Sequence, residues 1–194
     1  MIKIKPNHVS DVEQKFLRRY SNFVLDKLKV PKKKRSLCIV SLVFVTMDDM
    51  TSAEERKQYK EAQAWVHDRG MKRGKRTFEI QMKSSRIKRR RKKIQFQFKH
   101  VMLDLAHELT HVKQYLNGEL FDYASGDARY KGKYYAEPVR FEKEFSTNDD
   151  LYYDTPWEIE AFGREWGMWR RFHLQLKKEE KAKAKKSNGK EKEV

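Results

Sequence analysis

The stretch Leu105-Ala106-His107-Glu108-Leu109-Thr110-His111-Val112 decides how the rest of the chain is read. Two histidines four positions apart stand one turn apart on one helix face, so their imidazoles can share an ion. Glu108 lies beside that face, where a carboxylate can take a proton from metal-bound water without itself being a ligand. Val101, Leu105, Leu109, Val112 and Leu116 gather within about 80° of arc on the same helix, and both histidines fall well outside that stripe. They are therefore read as ligands and not as core residues. The helix is expected from about residue 98 to Asn117, with Gly118 as its stop.

A catalytic zinc takes three protein ligands and keeps a fourth position for water. Only His173 follows His111 among the histidines, and Asn117 occupies the place a third histidine would need in a His-x5-His pattern. A carboxylate is the better candidate, and Asp154-Thr155-Pro156-Trp157-Glu158-Ile159-Glu160-Ala161 offers two at the start of a further helix. Thr155 reads as N-cap, Pro156 as the first helical residue and Glu158 as the acid that returns to the helix start. Glu160, about 200° further round the helix, is left as the expected third ligand. Glu158 is the alternative, followed by the other acids of 119–154. Ala161 is small enough to let the two helices approach closely.

LAHELTHVKQY at 105–115, followed about fifty residues later by PWEIEAFGRE at 156–165, resembles the gluzincin-type zinc metallopeptidases. The likeness is nearest to small peptidases encoded by bacteriophages, and looser to the ImmA/IrrE and minigluzincin groups. It covers mainly residues 98–170, extending to a strand at 77–83 that would be the edge strand beside the cleft. The resemblance implies an α+β, zincin-like fold: a small twisted mixed sheet packed on the HExxH helix, which a glutamate-donating helix follows. It also implies Zn2+ held by His107, His111 and Glu160, with Glu108 as catalytic base. A protein or peptide substrate would add to the edge of Thr77–Lys83 as an extended strand. Tyr152, Tyr153 and Arg164 are the candidates for stabilising the tetrahedral oxyanion. One departure stands out: thermolysin-like members carry an Asp four residues past the ligand Glu, where this chain has Arg164. Support for the ligand histidines is therefore left unassigned.

The composition fits an intracellular protein of one domain, expected over 1–178, with a charged and disordered tail over 179–194. The lone Cys38 cannot form an internal disulfide, and the longest apolar stretch, Leu37 to Val45, falls far short of the roughly 20 residues that span a bilayer. A cytoplasmic location without membrane contact is expected. The net charge of +17 is unevenly placed: thirteen Lys/Arg face one acid between Arg69 and Lys93, whereas eleven acids face five Lys/Arg between Glu119 and Glu160. The basic stretch 69–93 makes nucleic acid a candidate partner. Two competing readings follow from it: a nucleic-acid-binding protein with a structural or vestigial zinc site, and a SprT-like protease acting on DNA-bound proteins.

Elsewhere the pattern predicts a capped helix at 11–29, a buried strand at 37–45 and an alternating strand at Thr77–Lys83. Residues 51–70 fit no single period, and 119–154 reads as a long irregular segment. In the last helix, expected to end near Lys178, Ile159, Phe162, Trp166, Trp169 and Leu176 form an aromatic stripe read as core. His100 reads as a surface or capping residue.

Overall fold

A computed structural model describes residues 2–4, 9–83, 99–136 and 153–190. The expected features at 84–98 and 137–152, including the Arg86–Lys93 charge run and Tyr152, lie outside them.

The fold is α+β. Strands β1 (Ile2–Ile4), β2 (Cys38–Val45) and β4 (Lys75–Lys83) run parallel, and β3 (Ala64–Lys72) pairs antiparallel with β4, giving the order β1-β2-β4-β3. β-Branched and apolar residues occupy both faces of β2, as a strand covered on both sides requires. Val40, Leu42 and Phe44 of β2, with Phe78, Ile80 and Met82 of β4, point into the main core. Val43, Val45 and Trp65 turn to the other face, where Met50 covers them. Arg73 and Gly74 close the β3–β4 hairpin with both residues at positive φ, a turn that suits glycine.

Three helices cover the main-core face. Helix α1 (Asp11–Lys27) begins at the Ser10/Glu13 capping box, and its chain reverses at Lys29, φ 56, before Pro31 is reached. The basic residues after Pro31 form a short helix, α2 (Lys32–Ser36). Helix α3 (Ala53–Glu61) and strand β3 divide the segment whose period was undecided. The HExxH sequence lies on α4 (Lys99–Asn117), ended by Gly118 at φ +68. The final helix is α5 (Pro156–Lys190).

Four expectations are corrected. The strand at Thr77–Lys83 is interior, hydrogen-bonded to β2 on one side and β3 on the other, so β3 provides the edge. The described part of the segment after Gly118, residues 119–136, is not irregular: β5 (Leu120–Asp122), β6 (Ala128–Tyr130) and β7 (Lys133–Tyr135) form a small antiparallel sheet over Trp157. Helix α5 continues past Lys178 to Lys190, because Lys, Glu and Ala are strong helix formers and Glu179 pairs with both Arg19 and Gln175. The expected aromatic stripe holds only for Leu176, which is buried, and Trp169, which packs against the core. Trp157, Ala161, Met168, Phe172 and Leu176 enter the core, whereas Ile159, Phe162 and Trp166 are exposed. The ring of Phe172 sets the rotation of the helix, lying 5.0–5.6 Å from those of Phe16, Tyr20 and Phe23. Among the described residues, no helix is long and apolar enough to cross a membrane.

Candidate metal centre

The apolar face of α4 carries Val101, Leu105, Leu109 and Val112 into the core, which leaves His107 and His111 turned toward α5. Their Nε2 atoms lie 3.0 Å apart. The carboxylate that meets them belongs to Glu158, with Oε2 at 3.1 Å from His107 Nε2 and Oε1 at 3.2 Å from His111 Nε2. These three residues are the group among the described residues whose ligand atoms converge on one point, all within 4.8 Å of one another.

The structure thus brings Glu158, and not the expected Glu160, to His107 and His111. Trp157 and Ala161 are buried, and on a helix Glu158 and Glu160 fall to opposite sides of the line joining them. Docking that line rotates Glu158 onto the imidazoles and Glu160 away. Glu160 instead accepts hydrogen bonds from Tyr130 Oη at 2.7 Å, Lys113 Nζ at 3.0 Å and Gln114 Nε2 at 3.3 Å. Burial alone would raise its pKa, but the Tyr130 and Lys113 hydrogen bonds bring it down to about 2. It is a structural anion linking α4, β6 and α5.

The outer nitrogens of both histidines are also engaged. His107 Nδ1 lies 2.9 Å from Glu165 Oε1, and His111 Nδ1 lies 2.9 Å from Gln114 Oε1. Gln114 Nε2 donates to the Trp157 carbonyl oxygen at 3.0 Å, which orients the amide oxygen toward His111. With both Nδ1–H groups donating outward, both Nε2 lone pairs and the Glu158 carboxylate face one another. That arrangement is repulsive unless a cation or protons sit among them. Burial opposes charging His107, yet hydrogen bonds to Glu158 and Glu165 raise its pKa to about 10. His111 is raised too, burial again being outweighed by Glu158. For Glu158, burial pulls upward, but hydrogen bonds with the two histidines hold it well below the ordinary carboxylate range.

The donor set fits zinc. Two imidazole nitrogens and one carboxylate oxygen match the ligand chemistry of catalytic sites, which keep a fourth position open. Metal–ligand bonds of roughly 2.0–2.2 Å in a tetrahedron place neighbouring ligand atoms about 3.3–3.6 Å apart. The Nε2 atoms lie 3.0 Å apart, and each lies 3.1 or 3.2 Å from a different Glu158 oxygen, close to that spacing.

Glu108 is buried beside the pair, and its burial raises the carboxyl pKa. Of the expected oxyanion donors, Arg164 points to Glu160 at 3.5 Å and so does not face the imidazoles. Tyr153 is exposed, its ring 5.4 Å from Phe162, which packs 4.5 Å from the His107 ring. His100 is exposed, as expected. Glu165 and Gln114 were missed from sequence, although both sit at helical spacings from site residues: Glu165 seven after Glu158, and Gln114 three after His111. The spacing becomes informative once Glu158 is the ligand.

No family model, curated protein or solved structure matches the chain.

Proposed function

We propose that the protein is a zinc-dependent metallopeptidase of zincin-like, gluzincin type, with His107, His111 and Glu158 holding the metal and Glu108 as catalytic base. The convergence of two imidazole nitrogens and one carboxylate on a common point carries this reading. Zinc, when bound, supplies Lewis acidity that acidifies water and polarises a carbonyl. The chain's own residues do the rest. Glu165 and Gln114 fix the imidazole tautomers so that both Nε2 atoms present lone pairs. Glu108, with its pKa raised by burial, accepts a proton from water and delivers it to the leaving amine. Strand β3, the long edge strand of the main sheet among the described residues, is the place for an extended peptide to pair.

Glu108→Gln tests the reading. Zinc-loaded wild type should hydrolyse a quenched fluorescent peptide library, and the variant should lose about 10²–10⁴-fold in rate while retaining its zinc. Equal rates in the two proteins, or a library left intact by the zinc-loaded wild type, would remove the peptidase assignment.

A further inference from the structure

Helix α5 divides its charges by face. Between Ile159 and Lys178 its two acids turn inward: Glu160 to Lys113 and Tyr130, Glu165 to His107. Arg170 and Lys177 are exposed on its outer side. Along the same outer side run large apolar groups, with Ile159 57%, Phe162 42% and Trp166 56% exposed. Ile159, Phe162, Trp166 and Arg170 follow one another at helical spacings of three and four, so they share one face. Lys99 joins it from α4, its Nζ 4.3 Å from the Trp166 ring centroid. Tyr153 extends the row beyond Phe162.

An exposed apolar row of this size marks an interaction surface, and its charge selects the occupant. A second copy of a chain of net charge +17 would bring cations against cations. A polyanion with flat apolar groups satisfies both features. Stacking rings interleaved with cations are how single-stranded nucleic acid is held without base-sequence preference.

We infer that the outer face of α5, centred on Trp166 and flanked by Lys99 and Arg170, binds single-stranded nucleic acid, with bases stacking on the indole and phosphates meeting the cations. In the described part of the basic stretch 69–93, Arg69 pairs with Glu79 and Arg76 with Asp68. This inference is independent of the zinc reading, since Trp166, Lys99 and Arg170 hold no metal.

The test uses the full chain with fluorescein-labelled dT20 and U20, following anisotropy and tryptophan emission together. Wild type should bind either strand, with indole emission quenched and affinity falling steeply as salt rises. Trp166→Ala should weaken binding about five- to hundredfold with the salt slope unchanged and most of the quench abolished. Lys99→Ala and Arg170→Ala should each lower the slope by about one. Heparin, a polyanion without bases, should compete but leave the indole emission unquenched. Equal affinity for wild type and Trp166→Ala, or equal quenching by heparin, would overturn the inference. So would light scattering that shows a wild-type dimer dissociating in Trp166→Ala, which would assign the face to a second copy.

Discussion

His107 is held from both ends, Nε2 toward Glu158 and Nδ1 on Glu165, and the second contact governs how well the first can bind a cation. A carboxylate on Nδ1 fixes the tautomer and makes Nε2 a better donor of electron density. Glu165→Ala should therefore weaken zinc binding about 10–100-fold in competition with a chromophoric chelator, with helix content by circular dichroism unchanged. Unaltered affinity would show that Glu165 merely neighbours the ring. Much of this centre was readable from sequence: His107, His111 and Glu108 follow from spacing on one helix. The choice between Glu158 and Glu160 was not, because both lie in the first turns of α5 and a capping preference worth about 1 kcal/mol favoured the wrong partner for Glu158. Two imidazoles in a desolvated site offer a carboxylate far more than one backbone amide at the helix start. Only the rotation imposed by Trp157 and Ala161 decides between them.

At the scale of elements, that rotation depends on α5 choosing one of two apolar stripes. Ile159, Phe162 and Trp166 form one, while Trp157, Ala161, Met168, Phe172 and Leu176 form the other. Periodicity finds both and cannot say which meets the sheet. The aromatic cluster resolves it, since Phe172 meets Phe16, Tyr20 and Phe23 on α1, elements separated widely along the chain. Phe172→Ala should cost about 3–5 kcal/mol of unfolding free energy by urea titration, whereas replacing exposed Trp166 by Ala should change it by less than about 0.5 kcal/mol. Comparable losses would mean that the two stripes share the packing. The same limit hid the interior position of β4. Alternation at Thr77–Lys83 announces a strand, but its neighbours come from β2 and β3, whose pairing no local pattern records. The three short strands after Gly118 were hidden for a related reason: each is three residues long, too short to display a period.

Across the whole molecule, one anchor system joins the helices that carry the imidazoles and Glu158. Glu160 ties α5 to Lys113 of α4 and to Tyr130 of β6, and Gln114 ties α4 to the Trp157 backbone. With α4 and α5 locked in this way, Glu158 is delivered to the imidazoles by the same docking that buries Trp157 and Ala161. The two glutamates thus divide the labour, one anchoring the helices and the other facing the two imidazoles. Zinc content after exhaustive dialysis against metal-free buffer, measured on folded wild type, Glu158→Gln and Glu160→Gln, tests this division most directly. About one zinc per chain should remain in wild type and in Glu160→Gln, and nearly all should be lost from Glu158→Gln. Zinc retained by Glu158→Gln but lost from Glu160→Gln would contradict the account.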